Sequence, residues 1–147
     1  MILEQTGLNP TCLELEITES AFLKTTDQVI AKLERLRSAG IRIALDDFGT
    51  GYSFLSYLKE LPMSTLKIDR SFIHNLLDDP KAKSLTRSII AIGHLLDMNV
   101  VAEGIETQEQ RAYLASIECD CFQGYLIQKP LPEKQLYEWL ETIGTGT

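Results

Sequence analysis

Short apolar runs alternate with helical patterns along the whole chain. Runs rich in apolar and β-branched residues predict β-strands, and apolar residues spaced three or four apart predict helices. The predicted strands are Leu13–Ile17, Ile41–Asp46, Leu66–Asp69, Val100–Glu103 and Cys121–Tyr125. The predicted helices carry Val29, Ile30, Leu33 and Leu36 before a stop at Gly40, and then cover Phe54–Leu61, Lys81–Asp97, Gln108–Ile117 and Glu133–Glu141. This alternation is typical of a parallel sheet with crossover helices.

The number of strand and helix units favours part of a barrel. A closed (β/α)8 barrel typically needs about 250 residues, and this chain has 147. We therefore predict an α/β fold, a partial (β/α)8 TIM-like barrel of about five βα units whose N-terminal strands are missing. Residues 1–147 would form this one partial domain. An open doubly wound sheet is the alternative, but it predicts a glycine-rich phosphate loop after the first strand, where the sequence reads Glu19-Ser20-Ala21-Phe22.

Alternation within the strands separates two faces, because residues two apart point to the same side of a sheet. The apolar set would face the helices, and it comprises Leu13, Leu15, Ile17, Ile43, Leu45, Leu66, Ile68, Val100 and Ala102. The polar set would face the barrel axis and is concentrated at the C-terminal ends of the strands, where barrel enzymes have their active sites. Its members there are Glu16, Asp46, Lys67, Glu103 and Gln123, with Asp47 where the chain leaves the second strand.

Four carboxylates converging on one bowl repel one another unless cations bind them. Hard oxygen ligands select Mg²⁺ or Mn²⁺ over softer metals. Lys67 at an inward strand position needs a carboxylate partner, and it suggests a general base or a cation that orients a phosphate. Nearer the other end of the strands, Glu14 and Arg42 are expected to pair inside the barrel.

The overall charge limits the classes of partner. The formal net charge of -7 argues against binding to DNA or RNA polymers, which needs clustered Lys and Arg. Cys12, Cys119 and Cys121 have no metal-type spacing and are expected to be buried, reduced thiols in a cytoplasmic protein. No apolar run is long enough to span a membrane, so this piece is expected to make no membrane contact, although a parent protein could be anchored elsewhere.

Five segments resemble the successive signatures of the EAL domain family, in order and spacing, over essentially the whole chain. They are Leu15-Glu16-Ile17-Thr18-Glu19-Ser20, Asp46-Asp47-Phe48-Gly49-Thr50-Gly51-Tyr52-Ser53, Leu66-Lys67-Ile68-Asp69-Arg70-Ser71-Phe72, Val101-Ala102-Glu103-Gly104-Ile105-Glu106-Thr107 and Gln123-Gly124-Tyr125. The resemblance implies hydrolysis of one phosphodiester bond of cyclic di-GMP to the linear dinucleotide pGpG, with two divalent ions, Mg²⁺ or Mn²⁺. A dianionic substrate fits an acidic bowl only through such metals.

The resemblance also implies a role for individual residues. Glu16, Asp46 and Asp47 would ligate the metals, and Lys67 and Glu103 would assist the attacking water. Glu106 and Gln123 would lie in the inner or second coordination shell or contact the substrate. Glu19 would anchor the loop that includes Phe48, Gly49, Thr50 and Gly51.

The sequence departs from the family pattern in one main respect. It contains neither the Glu-Ala-Leu signature strand nor the Asn-bearing strand that precedes the Glu16 strand in the family, and each would supply a metal ligand. We therefore expect this chain alone to be inactive or weakly active, and to self-associate or pair with the missing N-terminal half of the domain. The alternative is a catalytically silent module for cyclic di-GMP binding or for oligomerisation.

Overall fold

Five parallel strands form one sheet in the computed structural model, which describes residues 2–22, 27–49, 58–59 and 61–144. The strands are β1 (Glu14–Thr18), β2 (Arg42–Phe48), β3 (Thr65–Ile68), β4 (Asn99–Ala102) and β5 (Cys121–Phe122). They lie side by side in the order of the sequence. A doubly wound sheet reverses direction at a switch point, so this order excludes the alternative and confirms an arc of a (β/α)8-type barrel.

Helices follow the strands as the periodicity predicts. They are α1 (Ile2–Thr6), α2 (Glu19–Phe22), α3 (Asp27–Ser38), α4 (Arg70–His74), α5 (Pro80–Leu95), α6 (Gln108–Ser116) and α7 (Glu133–Gly144). The four long helices were predicted, whereas α1, α2 and α4 are too short to show an apolar period. The predicted helix over 54–61 lies largely outside the described residues.

Local sequence signals account for the ends of the long helices. Gly40 follows α3 with φ of 92°, a left-handed conformation that glycine adopts without steric cost. Thr107 caps α6, and its hydroxyl accepts the N–H of Gln110 while the Gln110 side chain accepts the N–H of Thr107. This reciprocal capping box satisfies two backbone donors that the first turn cannot pair. It also fixes the chain direction just after the end of β4.

All five strands end one to three residues away from the predicted end, and β2 and β5 differ most. β2 continues through Asp47 to Phe48, with an irregular register towards β3 between Leu45 and Phe48. β5 ends at Phe122 instead of Tyr125. The chain turns after β5, where the N–H of Ile127 donates to the carbonyl of Gly124 at 3.0 Å. Gln123 therefore lies just beyond the strand, although its backbone N–H still donates to the carbonyl of Ala102 at 2.9 Å.

The core lies between the sheet and the helices, on the face that the alternation assigned to apolar residues. Its innermost members are fully buried strand residues: Ile43, Leu45, Leu66, Ile68, Val100 and Ala102. They pack against Leu33 of α3, Ile89 and Ile90 of α5 and Leu114 of α6. The opposite face of the sheet is thereby left to the polar residues that point towards the barrel axis.

The predicted pair of Glu14 and Arg42 forms between β1 and β2, but Arg42 is not buried. Arg42 Nε lies 3.7 Å from Glu14 Oε2, and 55% of the Arg42 side chain is exposed. The expectation that Arg42 lies inside the barrel was therefore wrong, and a solvent-exposed pair contributes about 0–1 kcal/mol. Arg42→Ala is expected to lower the free energy of unfolding by less than about 1 kcal/mol. Denaturant unfolding measures this change, and a loss of several kcal/mol would restore the buried-pair interpretation.

Two of the three cysteines differ from the sequence-based expectation. Cys119 is buried and Cys12 and Cys121 are exposed, so burial was right for one of the three. Burial raises the pKa of the Cys119 thiol to about 11, which keeps it protonated and unreactive.

His94 Nε2 lies 2.9 Å from Asp120 Oδ2, and that carboxylate also accepts the N–H of Val100 at 2.8 Å. The pair therefore secures the start of β4.

No helix in the described ranges has both the length and the apolar character needed to cross a membrane. The cytoplasmic location, the oligomeric state and the partial-domain boundaries stay predictions.

Candidate functional site

Lys67 occupies the centre of the acidic group at the C-terminal ends of the strands. Its Nζ lies 2.5 Å from Glu16 Oε1, 2.8 Å from Glu103 Oε1 and 3.3 Å from Asp46 Oδ1. These partners come from β1, from the residue after β4 and from β2, while Lys67 itself is on β3. Only 8% of the Lys67 side chain is exposed. The structure therefore brings three of the predicted acidic site residues together around the buried ammonium group of a fourth site residue, Lys67.

The surrounding carboxylates determine the charge of Lys67. Burial acts to lower the pKa of Lys67, but the hydrogen bonds to Glu103 and Glu16 and the charges of Glu103 and Asp46 outweigh burial and raise the pKa. Lys67 is thus a firmly protonated cation in this arrangement.

Asp47 completes the acidic cluster from an unusual backbone conformation. Its φ is 56°, in the left-handed region that Asp tolerates better than most residues. Burial and the charges of Asp46 and Asp69 raise the pKa of Asp47, partly offset by Lys67. Two successive carboxylates, Asp46 and Asp47, are therefore held close enough to feel each other's charge. The irregular register of β2 at this point explains how both come from one strand end.

The carboxylate oxygens gathered here are the type of ligand that a hard divalent cation prefers. Within the described ranges, no three acidic, histidine or cysteine side chains converge closely enough to form a complete cation site. Asp46 Oδ1, however, is shielded from solvent and makes no hydrogen bond, because its approach to Lys67 Nζ has poor hydrogen-bond geometry. A buried carboxylate oxygen without a hydrogen bond and a raised pKa at the adjacent Asp47 are features that a bound cation would relieve. The residues present thus fit Mg²⁺ or Mn²⁺ as ligands.

Glu19 contacts the start of the predicted loop. The Glu19 side chain is 2% exposed, and its Oε2 accepts the N–H of Gly49 at 3.1 Å. Gly49 has φ of 98° and lies against the ring of Phe72, where an added Cβ would come within 2.6 Å of the ring. Phe48 is buried beside it. Thr50 and Gly51 lie outside the described residues, so their loop assignment stays a prediction.

A cavity of about 820 Å³ lies beside Glu103, one of the carboxylates that contact Lys67, whereas Lys67, Glu16, Asp46 and Asp47 are not among its lining residues. Glu103, Glu106 and Gln123 all line it. Its remaining walls come from positions to which the sequence analysis gave no functional role, namely Asp69, Arg70, Ser71, His74, Gly104, Gly124 and Tyr125. A cavity of this size falls within the range of small-ligand sites.

Asp69 and Arg70 were missed because their sequence signals are weak. Asp69 follows β3 as the N-cap of α4, and its Oδ1 accepts the N–H of Ser71 at 3.0 Å. Burial tends to raise the pKa of Asp69, but the hydrogen bonds from Ser71 and Arg70 and the Arg70 charge lower it. The two-residue alternation of Lys67 and Asp69 put Asp69 on the inward face. Because Asp is a common helix N-cap, the sequence alone did not indicate that Asp69 also lines the cavity.

Two glycines let the cavity walls approach each other. At Gly124 an added Cβ would lie 2.2 Å from the carbonyl oxygen of Ile105, and at Gly104 it would lie 2.6 Å from the Cβ of Arg70. Gly104 also has φ of 71°. The segments that carry Glu103 and Gln123 can therefore pack closely only because these positions have no side chain.

Comparison with known sequences and structures identifies what the chain is similar to. The sequence profile of the EAL domain matches residues 1–130. The cyclic di-GMP phosphodiesterase NbdA of Pseudomonas aeruginosa is 48% identical over 138 residues, which are 94% of this chain and 18% of NbdA. The solved EAL domain of Mycobacterium smegmatis DcpA is 38% identical with a TM-score of 0.89, over 96% of this chain and 63% of that one.

A further solved structure contains a nucleotide. The MucR phosphodiesterase in complex with cyclic di-GMP is 44% identical with a TM-score of 0.86, over 91% of this chain and 54% of that one. MucR from Pseudomonas aeruginosa is a bifunctional diguanylate cyclase and cyclic di-GMP phosphodiesterase. The chain spans about a fifth of the length of the curated relatives that it matches.

Proposed function

Because the chain belongs to the EAL domain family, we propose that it provides the catalytic end of a barrel that hydrolyses cyclic di-GMP to the linear dinucleotide pGpG with divalent cations. The observation that carries the proposal is the contact of Lys67 with carboxylates from three other parts of the sheet, beside a cavity of about 820 Å³. Relatives named as cyclic di-GMP phosphodiesterases support the reaction. The MucR complex supports the ligand.

We assign cation binding to Glu16, Asp46 and Asp47. When bound, the ions would neutralise the phosphates, acidify a bound water and stabilise the leaving oxygen. Lys67 carries the positive charge of the protein itself to the same place and holds Glu16, Asp46 and Glu103 in fixed positions. Such preorganised charge stabilises a transition state without reorganisation during the reaction.

We assign the remaining roles to residues of the cavity wall. Glu103, fixed by Lys67 through Oε1, would accept a proton from the attacking water. Glu106 and Gln123, which also line the cavity, would contact the substrate. Glu19 would keep the loop that begins at Phe48 and Gly49 beside the reacting phosphate through its hydrogen bond to Gly49. The alternative of a silent binding or oligomerisation module is not favoured, since relatives over most of this chain are named as phosphodiesterases.

The proposal is tested by measuring hydrolysis of cyclic di-GMP with Mg²⁺ or Mn²⁺ and with a chelator. Two proteins should be compared: this chain alone, and this chain joined to the N-terminal barrel strands of the related MucR EAL domain. We expect metal-dependent formation of pGpG by the joined protein and weak or no turnover by the chain alone. Binding of cyclic di-GMP without hydrolysis in the joined protein would instead support the silent module.

A further inference from the structure

Two side-chain bonds cross the sheet from β1 to β3, passing over β2. In the lower one, the Thr65 hydroxyl donates to Glu14 Oε2 at 2.8 Å. In the upper one, Lys67 Nζ donates to Glu16 Oε1 at 2.5 Å. Glu14 and Glu16 are two residues apart on β1, and Thr65 and Lys67 are two residues apart on β3. The two bonds are therefore parallel, and they lie on the same, inward face of the sheet.

Ala44 lies on β2 between these bonds. The strand register pairs it with Glu16 on one side and with Thr65 on the other. Adjacent strands are about 4.8 Å apart, so side chains from β1 and β3 must span nearly 10 Å and meet above β2. Ala44 is fully buried, with 0% exposure. A larger inward side chain at this position would occupy the space through which the carboxylates reach their partners.

The hydrogen bond between Thr65 and Glu14 is partly buried. Thr65 is 5% exposed, and the exposure of the Glu14 side chain is 27%. Arg42, the other partner of Glu14, lies at 3.7 Å and is largely exposed, so the Thr65 hydroxyl makes the shorter and more buried contact. This bond ties β1 to β3 directly and sets their relative position one step below Glu16 and Lys67.

We propose that Ala44, Thr65 and Glu14 are positioning residues that set the contact between Glu16 and Lys67. Ala44 leaves the space above β2 open, and the bond between Thr65 and Glu14 holds β1 and β3 at the separation that the upper bond needs. The consequence for hydrolysis rests on the proposed function, whereas the effect on the Lys67 contact does not. None of the three touches the cavity that would hold the substrate.

The first test uses the substitution Ala44→Val. The measured quantity is the rate at which an acylating reagent modifies the Lys67 amine in the folded chain. Peptide mass spectrometry gives this rate for each lysine separately. Modification requires the amine to leave its carboxylate partners, so displacement of Glu16 should increase the rate about tenfold, the factor expected for loss of a charge-assisted hydrogen bond. The matched control is Ala102→Val, also fully buried in a strand but in the core on the helix side. Ala102→Val enlarges a buried alanine by the same amount as Ala44→Val, and it should leave the rate of Lys67 modification unchanged.

The second test keeps the shape of the side chain and removes only the hydroxyl. Thr65→Val should increase Lys67 modification about threefold to tenfold, since the hydrogen bond from the Thr65 hydroxyl to the Glu14 carboxylate is lost. Thr65→Ser keeps the hydroxyl and should keep the original rate. Thr86→Val is the control, because Thr86 on α5 is buried and its hydroxyl has no hydrogen-bond partner in the described part of the chain. It should leave the Lys67 rate unchanged and raise Tm.

The outcomes separate this inference from the proposed function. Lys67 protection that is equal in the original chain, Ala44→Val and Thr65→Val would overturn the inference. Modification of Lys67 as fast as that of the exposed Lys134 in the original chain would do the same. If Ala44→Val fails to fold, Thr65→Val and its serine rescue decide. If Lys67 protection responds as expected while the joined protein shows no hydrolysis, the positioning role stands and the proposed function fails.

Discussion

Asp46→Asn is expected to abolish metal-dependent hydrolysis by the joined protein and to weaken binding of Mg²⁺ or Mn²⁺ by more than about tenfold, the smallest loss seen when residues that only support metal ligands are changed. Asp46 presents a buried oxygen without a hydrogen bond next to Asp47. Asparagine keeps one oxygen but removes the negative charge that attracts a hard cation. Calorimetric titration of Mn²⁺ into the original protein and into the Asp46→Asn variant measures the change in affinity directly.

The matched control for this substitution is Asp97→Asn. Asp97 has a left-handed backbone with φ of 57°, close to that of Asp47, and it lies exposed between α5 and β4. It should leave cation affinity unaltered. Cation affinity unchanged in Asp46→Asn would remove Asp46 from the proposed site, whatever its effect on turnover.

The sequence was sufficient to predict the sheet and the gathering of its polar residues. Parallel strands place their C-terminal ends at one edge, so alternation alone assigned Glu16, Asp46, Lys67 and Glu103 to one location. The contacts of Lys67 with the other three confirm that geometry. The assignment of catalytic and metal-binding roles to these residues stays a prediction.

The details that sequence reasoning missed depend on backbone geometry and on packing between distant segments. The register between β2 and β3 is irregular next to Asp47, which alternation within one strand does not reveal. The early end of β5 depends on the close approach of Gly124 to the backbone of Ile105. The exposure of Arg42 depends on what covers that end of the sheet, and no local pattern contains this information.

The bond between Thr65 and Glu14 shows a further limit of pattern analysis. Glu14 was assigned to the inward face and was expected to pair with Arg42, because opposite charges on adjacent strands attract. The nearer partner is the hydroxyl two strands away. The strand register and the small side chain of Ala44 allow Glu14 to reach Thr65 across β2. This contact can be predicted only when the three strands are considered together.

Lys67→Met is expected to have the largest effect on stability, a loss of about 3–5 kcal/mol when the protein unfolds without added cations. The substitution leaves Glu16, Asp46 and Glu103 without the ammonium that they surround, and 19% or less of the Asp46 and Glu103 side chains is exposed to solvent. Mutual repulsion of partly buried carboxylates then destabilises the ends of β1, β2 and β4. Denaturant unfolding in a chelating buffer measures the loss.

Two further substitutions separate charge from geometry in this prediction. Lys67→Arg retains the positive charge but replaces a compact ammonium with a planar guanidinium, so it should recover part of the lost stability without restoring hydrolysis in the joined protein. Lys134→Met removes an exposed charge on α7 and should change stability by less than about 0.5 kcal/mol. If Lys67→Met proved as stable as the original chain, the carboxylates would not depend on the ammonium. The central observation behind the proposed site would then lose its energetic basis, because the contacts around Lys67 would be geometrically close but not stabilising.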